Sequence, residues 1–358
     1  MYPLAENMFA PRNQWYLAAW SSEISRKPME RWILDNPLVF YRKENGEVAA
    51  IDGRCPHRHY PLSAGEVVGD NLRCGYHGLT FSPNGECVSI PSQPTIPNAC
   101  HINSYRAVER WKWIWVWPGD QALCDESLIP DHEQMDLDKP EFNIEPKGYF
   151  LLKSRYMLMH DNLLDLTHLA YLHSTTIGDR EIAEANLERS QTEWTQSCKS
   201  IVSAVDPQPY FKKLMGWNAS VDRRWGSTFY APSLHFIHED FYAPGQSPEQ
   251  GHSSLMRGRI FHAVTPATKD TSHYFFASGR DKSTGEDLET LIRAVTPVLD
   301  EDIFAVEEIE RMIKTSEKEL KDVLLRADAN CVAGRRLMER MIMADSTPRI
   351  IAADRASL

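Results

Sequence analysis

Residues 55–78 read CPHRHYPLSAGEVVGDNLRCGYHG, and four of them restrict what the first third of the chain can become. The skeleton is Cys55-x-His57, sixteen residues, then Cys74-x-x-His77. Paired thiols and imidazoles at such short spacing are a metal-ligand set, so the backbone has to bring two loops together. A structural zinc would take all four on one tetrahedral ion. A 2Fe–2S centre of mixed ligation would place both cysteines on one iron and both histidines on the other. Three features favour the cluster. The one-residue gap in Cys55-x-His57 is tighter than the usual zinc spacing. Each pair supplies one ligand of each type, so each loop can serve both irons. Pro56, Gly75 and Gly78 suit tight loops whose N–H groups approach sulfide. His59 lies outside the skeleton and reads as an ordinary polar histidine or as a neighbour of the ligands.

The surrounding sequence predicts short strands and turns. VFYRKENGEVAAID (39–52) and LTFSPNGECVSI (79–90) are hairpin patterns around Asn45-Gly46 and Asn84-Gly85. ERWKWIWVWPGD (109–120) alternates Trp111, Trp113, Trp115 and Trp117, which on a strand puts four indoles on one face of a core. Proline and acidic residues thicken over 118–147, as at a domain connection. Helix is expected at about 155–172, mixed strand-rich sequence over 190–280, and amphipathic helix over 286–321, interrupted near Pro297, and over 330–344. The organisation is therefore an all-β domain over 10–120, a connection over 121–147 and an α+β domain over 148–350. A net charge of −11 argues against a general nucleic-acid binder. The chain has no apolar run near the ~20 residues of a membrane span and no signal-peptide pattern. Seven thinly spread cysteines do not suggest a disulfide framework, so a cytoplasmic setting is expected.

A second constellation lies in DNLLDLTHLAYLH (161–173). On a regular helix Asp161, Asp165 and His168 share one face, opposite Met159, Leu163, Leu166 and Ala170. A solvated polar face would look the same. His173 follows His168 by five residues, which diverge by about 140° on an α-helix. The two can meet only if the helix ends or bulges between them. Further on, VTPVLDEDIFAVEEIERMI (295–313) carries an apolar stripe of Val295, Val298, Leu299, Val306, Ile309 and Ile313, and Asp302 falls on it. Asp300 and Glu301 project elsewhere. A carboxylate on a buried face needs a partner. A helix cap, an ion pair and a metal are all open at this point.

C-x-H followed by C-x-x-H, with Gly75-Tyr76-His77-Gly78 in the second loop, resembles the Rieske domain of ring-hydroxylating and demethylating oxygenases. D-x-x-x-D-x-x-H-x-x-x-x-H, matched by Asp161, Asp165, His168 and His173, resembles the iron motif of the same enzymes, and Asn162 is similar to the demethylase branch. Asn13-x-Trp15-Tyr16, the run Trp113–Asp120 and the stretch Ser174–Glu184 extend the likeness to the vanillate O-demethylase branch. The resemblance implies an all-β Rieske 2Fe–2S domain and a catalytic domain of antiparallel sheet and helices, of helix-grip type. It implies that His168 and His173 bind a mononuclear non-haem Fe(II). Asp302 is implied as third ligand, since the family has a similar E-D-x-x-x-x-E run in a C-terminal helix. Asp165 is implied as a bridge to a Rieske histidine of a neighbouring subunit, in a homotrimer.

One electron from a cluster and one from an open Fe(II) site suit dioxygen activation. The chain has no G-x-G-x-x-G fingerprint, so a separate NAD(P)H-dependent reductase, with flavin and 2Fe–2S, is expected to supply the electrons. The implied reaction is monooxygenation of an aryl methyl or methoxy carbon. O-demethylation of an aromatic acid with release of formaldehyde is the leading expectation. The rivals are cis-dihydroxylation of the ring, a plain Rieske electron carrier and a zinc-stabilised binding module. An acid group would call for an Arg, His or amide donor near the iron. Arg223, His235 and His262 are the principal candidates, beside Arg224, His238 and Arg293. Arg223-Arg224 also reads as a surface pair.

Overall fold

A computed structural model of the protein describes residues 9–346 except 179, 283–287 and 319. Both expected hairpins form. Asn36–Arg42 pairs antiparallel with Val48–Asp52, and Gly46 in the turn takes φ 86°. Thr80–Phe81 pairs with Cys87–Ser89 around Gly85, also at φ 86°, where any side chain would collide with the Ile102 carbonyl. These strands belong to two small antiparallel sheets. One runs Met29–Ile33, Asn36–Arg42, Val48–Asp52. The other runs Glu66–Val68, Asn71–Arg73, Thr80–Phe81, Cys87–Ser89; the Cys74–His77 loop joins two of its strands, and the Cys55–His57 loop lies in the connection from the first sheet to this one.

The tryptophan run departs from expectation. It is a hairpin, not one strand: Ala107–Arg110 pairs with Trp113–Val116, and Trp111 sits in the turn at φ 54°. No glycine or asparagine marks that turn. Its left-handed residue is held instead by edge-on contact of Trp111 with Trp113, ring centres 4.8 Å apart. Trp113, Trp115 and Trp117 are fully buried. They join Trp20 against the second domain, where Trp113 meets Phe261 and Trp20 meets Phe275 edge-on, each at 5.7 Å. Backbone bonds tie the same seam, from Leu34 N–H to the Pro266 carbonyl and from Asp35 N–H to the Ala267 carbonyl. Removing a buried indole such as Trp113 would cost about 3–5 kcal/mol. One hydrogen bond contributes about 1 kcal/mol net, so the aromatic seam dominates this interface.

The second domain begins inside the expected connection. Phe142–Leu152 is already the edge strand of a seven-stranded antiparallel sheet, because its alternating residues pair along Thr271–Asp281. The spatial order continues through Met256–Thr268, Leu234–Tyr242, Val221–Tyr230, Thr195–Val205 and Glu188–Gln191. The helices are α1 (Tyr156–Leu164), α2 (Arg180–Glu184), α3 (Pro209–Met215), α4 (Leu288–Lys314) and α5 (Ala329–Ser346). α1 touches α4, α5 and the central strands, while α4 also touches Phe142–Leu152 and α5 touches Thr195–Val205. The architecture is the expected all-β domain joined to an antiparallel sheet with helices. The expected break at Pro297 does not occur, since α4 runs through it and ends at Lys314. Burial of Val298, Leu299 and Val306 holds the helix where proline removes one backbone bond. The end of the expected range, 347–350, lies outside the described residues, and among the described residues no helix is long and apolar enough to cross a membrane.

His273 belongs to the seam. Its Nε2 lies 2.7 Å from the Trp32 carbonyl, which can only accept, so Nε2 carries the proton. Nδ1 then accepts from the Tyr149 hydroxyl at 3.1 Å. Burial, with Arg31 adding, lowers its pKa to about 3. The unfolded chain, with an imidazole pKa of about 6.5, binds the extra proton between these values. Stability is therefore complete above about pH 6.5 and falls as pH drops toward 3, by about 1.4 kcal/mol per pH unit for one proton. Urea midpoints should decline from pH 7.5 to 5, and His273→Gln should flatten that decline by about one proton. An unchanged slope in the variant would exclude His273 as a contributor.

Candidate metal centres and active site

The two Cys/His loops share one backbone frame. Cys55 N–H donates to the Tyr60 carbonyl at 3.0 Å and His59 N–H to the Cys55 carbonyl at 2.8 Å. In the second loop Cys74 N–H donates to Leu79 at 2.8 Å and Gly78 N–H to Cys74 at 3.1 Å. Four residues after each cysteine the chain turns left-handed, at His59 (φ 55°) and Gly78 (φ 74°). His59 thus does in one loop the backbone task that glycine does in the other, a task histidine tolerates better than most residues. Cys55 and Cys74 are buried, and their proximity with burial pushes the Cys55 thiol up to about 11, burial being the larger effect. His57 and His77 are exposed, with ring centres 4.5 Å apart and planes inclined at 67°. A tetrahedral ion would draw its donors to within about 4 Å of one another. Among the described residues no three of these four bring donor atoms within 4.8 Å. The arrangement, two buried sulfurs behind two exposed imidazoles, fits a two-iron cluster better than a single zinc.

His168, His173 and Asp302 do meet that criterion, and among the described residues they are the only such group. They meet because the helix breaks earlier than expected. α1 stops at Leu164, and Asp165 caps it. The Asp165 Oδ1 accepts from both the N–H and the hydroxyl of Thr167 at 2.7 Å, a local competition that ends regular helix. The following turn, Thr167–Ala170, is 3-10. It swings His168 round until its ring centre is 5.1 Å from that of His173. Asp161, Asp165 and His168 therefore do not share a regular helical face, although all three line one outer groove. Asp161 turns instead to Arg335 of α5, 2.5–3.1 Å away, and burial, opposed by that guanidinium, raises its pKa to about 6.

Asp302 lies on the buried face of α4, as its stripe implied. Its Oδ1 accepts from Asn162 Nδ2 at 2.9 Å, faces His173 Nε2 at 3.0 Å and lies 3.6 Å from His168 Nε2. Glu301 does not project elsewhere. Its Oε2 is 2.7 Å from His173 Nδ1 and accepts from Thr176 Oγ1 at 2.8 Å. Sequence reasoning missed this role. The available signal was a carboxylate next to the stripe carboxylate, on the flank from which a histidine must approach. A proton on Nδ1 aimed at Glu301 leaves a lone pair on Nε2, aimed at a second carboxylate. Two acceptors at 3.0 Å require a cation between them. A proton serves in part: burial disfavours charge on His173, but Asp302 and Glu301 outweigh it and raise its pKa. His168 is lowered by burial, with His173 adding, so it stays a neutral donor. With a metal in place of that proton, two imidazoles, one carboxylate and a carboxylate behind one imidazole suit a divalent iron.

This group forms one wall of a cavity of about 170 Å³. An engineered cavity of about 150 Å³ binds benzene, so the space suits one aromatic ring. Leu166, Trp225, Ile260, Phe276, Val298 and Leu299 make it largely apolar. His262 lines it, Nδ1 2.6 Å from the Tyr274 hydroxyl, and burial lowers its pKa to about 4. Arg223 also lines it but is buried against Glu239 at 2.6 Å, so only Arg224, paired with Glu249, behaves as surface. His235 does not reach the cavity. It is stacked on Phe229, with Nε2 2.7 Å from His160 Nδ1. His238 is not on the cavity wall, and Arg293 is exposed on α4. Asp165 and His168 line both this cavity and an outer groove beside Ile309, Asp322 and Val323.

Residues 14–106 match the Rieske [2Fe-2S] domain, and residues 152–344 match the vanillate O-demethylase oxygenase C-terminal domain. The toluene-4-sulfonate monooxygenase system iron-sulfur subunit of Comamonas testosteroni is 33% identical, covering 94% of this chain and 98% of its own. The vanillate O-demethylase oxygenase subunit of Pseudomonas sp. (strain HR199 / DSM 7063) is 34% identical, covering 94% and 96%. Among solved structures, dicamba monooxygenase bound to 3,6-dichlorosalicylic acid superposes with a TM-score of 0.85 at 32% identity, covering 94% and 98%. The same enzyme has been solved with non-haem iron and dicamba, at a TM-score of 0.79 and 31% identity. With a Rieske domain over residues 14–106 and the matching C-terminal domain over more than half of its length, the chain belongs to the Rieske oxygenase components of the vanillate O-demethylase family.

Proposed function

We propose that the protein is the oxygenase component of an aromatic O-demethylase, with Cys55, His57, Cys74 and His77 holding the 2Fe–2S cluster and His168, His173 and Asp302 holding Fe(II). The observation that carries this reading is the joining of the His168–His173–Asp302 face to an apolar cavity of one-ring size. The metals, when bound, supply stepwise electron delivery and dioxygen reduction. The net change is ArOCH3 + O2 + 2e− + 2H+ to ArOCH2OH + H2O, and the hemiacetal then breaks its C–O bond to give ArOH and formaldehyde. The chain's residues do the rest. Leu166, Ile260, Phe276 and Leu299 hold the ring and exclude water. Asn162 fixes the Asp302 carboxylate, and Glu301 keeps the Nδ1 proton of His173 so that Nε2 points inward. His262 stays neutral and can give or take one hydrogen bond through its Tyr274-linked ring.

Asp165 is the bridge in this reading. Both of its side-chain bonds fall on Oδ1, which leaves Oδ2 for an outside partner. It faces the outer groove, while among the described residues none of the catalytic domain lines the groove over His57 and His77. A cluster histidine of a second subunit meeting Asp165 accounts for both, and three subunits in a ring close such a head-to-tail contact. The electron donor is an NAD(P)H-dependent reductase with flavin and 2Fe–2S, in the cytoplasm.

Formaldehyde release coupled to NADH oxidation, with 4-methoxybenzoate and a reductase of this type, is the expected activity. A hydroxymethyl product from a methylarene would mean methyl hydroxylation instead, and a cis-diol would mean ring dihydroxylation. Iron analysis should give about three irons per chain. Asp302→Ala should give about two and keep the visible cluster spectrum, whereas retention of the third iron would remove Asp302 from the ligand set. Glu301→Ala should weaken mononuclear iron retention about 10- to 100-fold. Asp165→Asn should keep all the iron yet lose coupled turnover. Normal turnover in that variant would end the bridge assignment.

A further inference from the structure

The cavity has a second polar end. Phe276, Ser278 and Arg280 alternate along Thr271–Asp281 and all three line the cavity. Arg280 is 3% exposed, and among the described residues its buried Nη2 has no hydrogen-bond partner. Among the same residues its Nη1 donates only to the Met215 thioether, at 3.2 Å, a weak acceptor. Ser278 is 4% exposed and its Oγ likewise has no partner. A guanidinium cannot shed its charge, so burying one with unmet donors is costly unless something anionic arrives.

The neighbouring strand makes room for that arrival. Gly258 stands directly across from Arg280 and Ile260 across from Ser278. Gly258 presents no side chain over the guanidinium, and both residues line the cavity. The nearby carboxylates are committed. Glu239 accepts from Arg223 Nε and Nη2, at 3.2 and 2.6 Å, and Asp281 accepts from the Arg257 backbone and side chain. Arg223, the cation singled out from sequence, is thus neutralised, while Arg280 keeps donors for a ligand. The signal for Arg280 was period two: in FFASGRD it shares a face with Phe276 and Ser278. The metal end of the same sheet face is marked by His262 and Tyr274, both of which feel the Asp302 carboxylate. His262 pairs with Phe276 and Gly258 with Arg280. Four residues of strand separate the two rows by about 13 Å, which leaves room for one substituted ring and its contacts at either end.

We propose that Arg280 and Ser278 form an anion-binding end of the cavity and act as specificity-determining residues, holding the acid group of an aromatic substrate at Arg280 with its methoxy or methyl carbon toward His168, His173 and Asp302. The orientation, though not the anion site itself, rests on reading the cavity as the oxygenase's substrate site.

Calorimetric titration of the iron-loaded holoenzyme under argon tests it, with 4-methoxybenzoate, 4-methoxybenzenesulfonate and neutral 4-methoxybenzamide as probes. Arg280→Met should weaken both acids on the order of 10- to 100-fold and leave the amide unchanged. Arg280→Lys should recover part of the loss, and Ser278→Ala should cost several-fold. The carboxylate-to-sulfonate affinity ratio tells which anion the site prefers. Unaltered cluster absorption and iron content in each variant would show that the fold is intact. Acid affinity unchanged in Arg280→Met, equal loss of acids and amide, or a wild type that binds neither acid would overturn the proposal. Arg280-dependent acid binding without formaldehyde or hydroxymethyl product would keep the anion site and remove the demethylase reading.

Discussion

Two acceptors facing each other in a buried pocket are the constraint around which this molecule is arranged. Asp302 Oδ1 and His173 Nε2 stand 3.0 Å apart, with Glu301 closing off the other nitrogen of the ring. Without a cation such a pair is repulsive, and burial strengthens the repulsion. Several local departures from regular structure serve to bring the pair together. α1 gives up its last turn to Asp165, and a 3-10 segment turns His168 inward. α4 continues through Pro297 and delivers Glu301 and Asp302 on adjacent flanks. Asn162, in the last turn of α1, then locks the carboxylate.

The aromatic seam gives that site a rigid partner domain. Indoles of the first domain lie against Phe261 and Phe275 of strands whose neighbouring residues line the cavity. Arg31 adds to the seam, with its guanidinium 4.2 Å from the Tyr149 ring centre and its Nε donating to the Ala18 carbonyl. Packing of this kind joins the domain that presents His57 and His77 to the catalytic sheet.

Much of this was legible in the sequence, and the exceptions have identifiable causes. Cysteine and histidine spacing marked two loops that the structure does bring together, with Cys55 and Cys74 buried behind the exposed His57 and His77. The five-residue gap between His168 and His173 announced a helix break, but its position depended on Asp165 capturing Thr167, a competition that periodicity does not register. Asp302 was visible as a charge on an apolar stripe. Glu301 was not, because its partner comes from a distant segment. Trp111 alternates with its neighbours in sequence yet sits in a turn, since packing on Trp113 replaced the usual turn residue. Arg223 and Arg280 look alike as letters. They differ only because Glu239 stands beside one of them in the folded sheet.

Asp165 and His168 line the inner cavity and the outer groove at once. The partition between the two spaces is therefore a single layer of side chains. A barrier that thin admits charge and refuses molecules: an electron or proton can cross it, while a ring cannot.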